Sequence, residues 1–117
     1  MEGKRICQII KLPSGNVQEY VRLHQNVPQG VLDNLRKYNI HDYSIHHAPD
    51  LNLLIAHMRY TGTDIQADSQ KMREDPINQQ WWSMTDPLQE TLVEGSTGST
   101  DPRGWWMNLK EVFYFEK

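Results

Sequence analysis

Tyr20 and His24 are the two residues whose types and spacing best suit chemistry, and they stand four apart in Asn16-Val17-Gln18-Glu19-Tyr20-Val21-Arg22-Leu23-His24. At about 100° per residue this stretch reads as a helix with Val17, Tyr20, Val21 and His24 on one side, and Gln18, Glu19 and Arg22 on the other. An imidazole and a phenol at i and i+4 are neighbours on such a helix. Together they can take up and deliver protons near neutral pH. A satisfied core histidine beside a tyrosine whose hydroxyl reaches the surface would give the same spacing, so periodicity alone leaves both readings open.

Other chemistries find less support in the residues. His46 and His47 are adjacent, so on a strand they point to opposite faces, and no carboxylate or thiolate joins them at a ligand spacing. A metal site is not expected. No serine sits in a nucleophile elbow, and the single cysteine, Cys7, has no activating base nearby in sequence. What is left is the Tyr20–His24 pair, Tyr43 on a strand face, and two tryptophans, Trp81 and Trp82, on a helix.

The elements that must position these groups follow from hydrophobic spacing and turn residues. Arg5 to Lys11 reads as a strand ending at Leu12-Pro13-Ser14-Gly15, and Ser14 or Asn16 is placed to cap the helix bearing Tyr20 and His24. Pro28 ends that helix or kinks it, and Val31, Leu32 and Leu35 continue at helical spacing to about Tyr38. Alternation over residues 41–47 predicts a strand with His41, Tyr43, Ile45 and His47 on one face, and Ala48-Pro49-Asp50 turns it into a hairpin with residues 51–60. A helical region opens at Thr61-Gly62-Thr63-Asp64. Asp75-Pro76 then reads as a fresh N-cap with proline at the first helical position. In the helix that follows, Ile77, Trp81, Met84 and Leu88 form a narrow apolar stripe with Trp82 at its edge. The run from Glu94 to Gly104 is Gly/Ser/Thr-rich and is expected to be a flexible loop, 95–104 being its core, ending in a second pair, Trp105-Trp106. Leu109 to Phe115 carries Val112 and three aromatics at strand spacing and is expected to be the fourth strand.

This order, β-α-β-β-α-β, predicts an α+β ferredoxin-like sandwich with helices on one face of an antiparallel sheet, in a single domain over 1–117. The other sheet face then needs a cover, and a second copy of the chain is the economical one, so a homodimer is expected. A chain of 117 residues with a net charge of −3 and no Lys/Arg cluster has no electrostatic footprint for nucleic acid. No run approaches the ~20 apolar residues of a membrane span, and a lone cysteine suits a reducing compartment. The expectation is a cytoplasmic protein without nucleic-acid or membrane partners.

Taken together, these residues resemble the L-rhamnose mutarotase family. The resemblance is carried by Glu19-Tyr20 with His24, by His41-Asp42-Tyr43-Ser44-Ile45 followed by Asn52-Leu53-Leu54, by Trp81-Trp82 with Met84-Thr85-Asp86, and by Glu111-Val112-Phe113-Tyr114. It spans almost the whole chain in the right order. It implies a dimeric α/β-barrel-type assembly of ferredoxin-like units that interconverts the α and β anomers of L-rhamnose or a related 6-deoxy sugar with no cofactor. By that resemblance His24 is the acid/base catalyst with Tyr20 as its partner, and Tyr20, Tyr43, Trp81 and Trp82 bind the sugar. The stretch Gln25-Asn26-Val27-Pro28-Gln29-Gly30 and the segment from Gly95 to Trp106 depart from the bacterial pattern, and Trp105-Trp106 could form a lid or reshape the pocket. Cys7, His41 and His57 read as packing, structural or surface groups.

Mutarotation suits these side chains on its own terms. Opening the ring needs a proton on the ring oxygen and the loss of one from the anomeric hydroxyl, and a histidine of ordinary pKa ~6.5 can act in either direction near neutrality. An indole offers apolar area with one polar N–H, a match for the C–H face and hydroxyl rim of a pyranose. Two other classes stay open at this level. One is a small isomerase, cyclase or decarboxylase acting on an apolar carbonyl metabolite on the same scaffold; the other is a non-catalytic sugar-binding module.

Overall fold

Alternating side chains make the first strand, β1 (Lys4–Lys11), two-sided, and its pairing shows what each side meets. In the computed structural model, which describes residues 3–117, β1 lies at the centre of an antiparallel sheet. Its neighbours are β3 (Leu53–Tyr60) and β4 (Met107–Asn108), and β2 (Ile40–Ala48) pairs with β3, giving the order β2-β3-β1-β4. Four helices, α1 (Val17–His24), α2 (Gln29–Lys37), α3 (Ile65–Glu74) and α4 (Pro76–Thr85), fill the two crossovers. This is the α+β ferredoxin-like sandwich.

Residues directly opposite in an antiparallel pair share a face, so the register sorts the sheet. Ile10 faces Leu54 across the ladder, Gln8 faces Ala56 and Ile6 faces Met58, and all six belong to the helix side. There Ile10, Leu12, Tyr20 and Leu54 form one buried cluster, and Ile40, Ala56, Met58 and Tyr60 another. Val17 packs on the first cluster, and Leu35, Ile65 and Met72 on the second. The opposite side carries Cys7 against His57, Ile9 against Ile55 and Arg5 against Arg59. Cys7 is thus half-buried on the face away from the helices, not inside the core.

Helix ends follow the capping residues in part. Asp64 accepts from the backbone N–H of Ala67 at the start of α3, and Asp75 accepts from that of Ile77, with Pro76 at the first position of α4. The start of α1 differs from expectation. Neither Ser14 nor Asn16 caps it through its side chain; a 3₁₀ turn over Ser14–Asn16 leads in, and Asn16 Nδ2 donates to the carbonyl of Leu88 at 2.9 Å. That bond fixes the start of α1 to the end of the α4 region.

Three further sequence expectations meet corrections or additions. His41 does not share a face with Tyr43, Ile45 and His47, because the β2–β3 register slips between His41 and Ser44. Asp42 takes a positive φ of 51° there, a bulge that adds one residue and reverses the alternation. His41 therefore pairs with Arg59 on the open side and bonds Thr61 Oγ1 at 2.9 Å, whereas Ile45 pairs with Ala56 on the helix side.

The fourth strand is Met107–Asn108, opposite Ile9 and Gln8, rather than Leu109 to Phe115. After Leu109 N–H donates to the Cys7 carbonyl, no further residue holds strand geometry; the tail is tied to β1 by Arg5, which pairs with Glu111 and lies over the Tyr114 ring. Strand spacing signals a covered face, and within one chain nothing covers Val112, Phe113 and Phe115, which are 91%, 79% and 76% exposed.

The segment 95–104 is a loop, and it carries anchors its composition does not announce. Asp86 accepts from the backbone N–H and the hydroxyl of Ser99, and buried Asp101 accepts from Thr97 and from the Arg103 backbone and guanidinium. Gly104, at a φ of 91°, a conformation costly for any residue with a Cβ, turns the chain into Trp105-Trp106.

Candidate active site

The helical phase of α1 brings Tyr20 and His24 together as its spacing requires: their ring centroids lie 4.3 Å apart. His24 Nδ1 sits 2.8 Å from the carbonyl oxygen of Tyr20. A carbonyl only accepts, so Nδ1 carries the proton and Nε2 of the neutral ring is left with a lone pair. On its other side the imidazole meets the edge of Trp81, with centroids 5.2 Å apart and planes at 73°. The ring is clamped between two aromatics, and one nitrogen is held as a base.

From α4, Trp81 is buried and meets His24 of α1, and Trp82 is half-buried on the wall of the same recess. From β2, Tyr43 follows the bulge, which sets it on the helix side of the sheet beside Ile45. Tyr20, His24, Tyr43, Trp81, Trp82 and Trp106 all line one open groove of about 1290 Å³, and the same six border a small polar recess of about 50 Å³. The groove has room for a pyranose, and the recess for water or a sugar hydroxyl.

Burial sets the state of the phenols. Tyr20 is 5% exposed; its desolvation, with Tyr43 nearby, pushes its pKa well above the ordinary phenol value, against a smaller opposing pull from a hydrogen bond with Gln89. Tyr43 keeps 40% exposure, yet desolvation against the groove pushes it up to about 12. Both hydroxyls therefore stay protonated over the whole working range and stand as donors.

The five residues singled out from the sequence, Tyr20, His24, Tyr43, Trp81 and Trp82, come together here. His41 and His57 lie on the other sheet face. Sequence reasoning missed Gln89, Thr85 and Ser99, which line the recess. Gln89 and Ser99 carried no signal, since each lies in irregular chain; Thr85 was visible only as part of the Met84-Thr85-Asp86 motif. Trp105 and Trp106 are half-buried and pack onto the core clusters, so in this structure they belong to the wall around the site.

Comparison with known proteins supplies the family. The chain is 31% identical over 98 residues to an L-rhamnose mutarotase of Oceanobacillus iheyensis, covering 84% of this chain and 85% of that one. It is 26% identical over 113 residues to an L-rhamnose mutarotase of Bacillus subtilis, covering 97% and 99%. Its fold superposes on the crystal structure of an L-rhamnose mutarotase from Formosa agariphila with a TM-score of 0.75 at 22% identity, over 97% of this chain and 99% of that one. The L-rhamnose mutarotase family model matches residues 5–115, and the chain belongs to that family.

Proposed function

We propose that this protein is a mutarotase that interconverts the α and β anomers of L-rhamnose or a close 6-deoxy relative, with His24 and Tyr20 moving the protons. Family membership supports the isomerase activity. The observation that carries the residue roles is the bond from His24 Nδ1 to the Tyr20 carbonyl, which leaves Nε2 as the basic nitrogen next to a protonated phenol.

In this reading Nε2 of His24 removes the proton from the anomeric hydroxyl. The C1–O5 bond breaks with its electron pair going to the ring oxygen, which accepts a proton from the Tyr20 hydroxyl, and C1 and O1 become an aldehyde. Rotation about C1–C2 presents the other carbonyl face. Ring closure reverses the transfers: the phenolate regains the O5 proton as O5 attacks C1, and the imidazolium returns its proton to O1. Trp81, Trp82 and Tyr43 hold the sugar, the indoles against its C–H face and methyl group and the phenol against its hydroxyl rim.

The reading extends to a homodimer. The sheet face carrying Cys7, Ile9 and Ile55, together with the exposed Val112, Phe113 and Phe115, offers apolar surface that a second copy would cover. Gel filtration with light scattering at micromolar protein should give twice the chain mass, and a clean monomer would remove this part. For the activity, two-dimensional exchange NMR on L-rhamnose should show α–β cross-peaks building up faster with enzyme than without it. Build-up at the buffer rate, for L-rhamnose and for a panel of 6-deoxy sugars, would overturn it.

A further inference from the structure

Beside Tyr20 lies a polar chain that the family reading does not use. Trp105 Nε1 donates to Gln89 Oε1 at 2.9 Å, and Gln89 Nε2 donates to the Tyr20 hydroxyl oxygen over a long 3.4 Å. Gln89 is 7% exposed. An indole nitrogen can only donate, so the amide oxygen must face Trp105 and the NH₂ must face Tyr20. The amide therefore has one orientation. Because the Tyr20 oxygen already accepts from Gln89, and no group among the described residues accepts its proton, the phenolic O–H is left to donate elsewhere.

The backbone holds this chain in place. Glu90, next to Gln89, forms an antiparallel bridge with Lys11 through two 3.0 Å bonds, and Thr91 Oγ1 donates to the Trp105 carbonyl. Both ends of the relay are thus pinned to the end of β1 that supplies Leu12 to the cluster around Tyr20.

Resting on the assignment of Tyr20 as proton donor, we infer that Gln89, oriented by Trp105, is a positioning residue that keeps the Tyr20 hydroxyl as a donor toward the sugar. The direction of the bond is what matters. A side chain that could only accept would capture the phenolic proton and turn Tyr20 away from its task.

Gln89→Glu makes that substitution with little change of shape. The ionised carboxylate only accepts, so it takes bonds from both Trp105 and Tyr20; the protonated acid donates to Tyr20 while still accepting from Trp105, as glutamine does. His24 is the titratable group that shares the recess besides Tyr20 and Tyr43.

The test is anomeric exchange of L-rhamnose by NMR for wild type, Gln89→Glu, Gln89→Leu, Trp105→Phe and Tyr20→Phe, with thermal unfolding of each sample. The expected results are kcat lowered roughly 10–100-fold in Gln89→Leu, the order expected when a buried hydrogen-bonding group loses its partner, with a smaller drop in Trp105→Phe. The ratio of Gln89→Glu to wild-type kcat should climb as pH falls. A folded Gln89→Leu with wild-type kcat, or a Gln89→Glu ratio that is flat with pH, overturns the inference while leaving the mutarotase reading standing. If Gln89→Leu fails to fold, the Gln89→Glu ratio decides by itself. Undiminished exchange in Tyr20→Phe would instead sink the assignment beneath it, and the inference with it.

Discussion

His24 is bonded to the residue it is proposed to work with: its Nδ1 donates across 2.8 Å to the backbone carbonyl of Tyr20, one helical turn back. The same α1 turn thereby sets the tautomer of the proposed base and the place of the proposed acid. Since the bond uses backbone, replacing the Tyr20 side chain leaves the histidine's orientation intact, so the two roles can be separated by mutation.

His24→Ala should reduce catalysed anomeric exchange by roughly 10²–10⁴-fold, the usual range for one general acid/base group. Its melting temperature should stay close to that of wild type, since the ring is only half-buried. A stable variant with full exchange would remove His24 from the chemistry.

Tyr20→Phe keeps the ring against His24 and deletes the hydroxyl. A large loss of kcat with near-normal KM assigns Tyr20 to proton transfer, whereas a raised KM with normal kcat assigns it to binding; we expect the first. The raised pKa has its own check. Alkaline difference spectra between wild type and Tyr20→Phe should show no phenolate from Tyr20 near pH ~10, where an ordinary tyrosine ionises. Phenolate amplitude there would contradict the buried, protonated donor.

Trp82→Ala should act chiefly on KM, because the indole lines the groove while the groups proposed to move protons, Tyr20 and His24, lie on α1. An unchanged KM with a lowered kcat, measured across L-rhamnose concentrations, would place Trp82 in the positioning of His24 instead.

Asp101 is the main polar anchor of the 95–104 loop, and its bonds with Arg103, opposed only in part by desolvation, hold its carboxyl well below the usual range. A carboxyl depressed in the folded state stabilises the fold above its unfolded pKa of ~3.9 and loses that contribution as pH falls through its folded value. Wild type should therefore melt above Asp101→Asn near neutrality, and the gap should narrow steadily below about pH 4. Limited proteolysis should also cut 95–104 faster in the variant. Equal melting at pH 7 would mean the Asp101–Arg103 pair is dispensable.

What the sequence by itself determined was local. Helical phase alone puts Tyr20 and His24 on one face, because residues four apart on a helix are neighbours whatever lies around them. Asp64 and Asp75-Pro76 mark the starts of α3 and α4 because a cap is a bond within a few residues. The order of strands and helices was legible from spacing and turns, and the ferredoxin-like sheet follows from that order.

Only the tertiary structure decided the rest, for reasons of partnership. The bulge at Asp42 lies in the pairing of β2 with β3, so a strict alternation read from β2 alone put His41 on the wrong face. The fourth strand is short because a strand exists only where its bonds are met by a neighbour: Met107 and Asn108 pair with β1, Leu109 N–H still reaches the Cys7 carbonyl, and the chain then leaves the ladder, whatever the aromatic spacing of the tail. Asp86, outside the loop, and Asp101, within it, became visible as anchors once Ser99 and Arg103 were folded onto them. Gln89 and Trp105, sixteen residues apart in irregular chain, have no shared period to betray them. They meet beside Tyr20 because the bridge between Glu90 and Lys11 and the turn at Gly104 deliver both to one place.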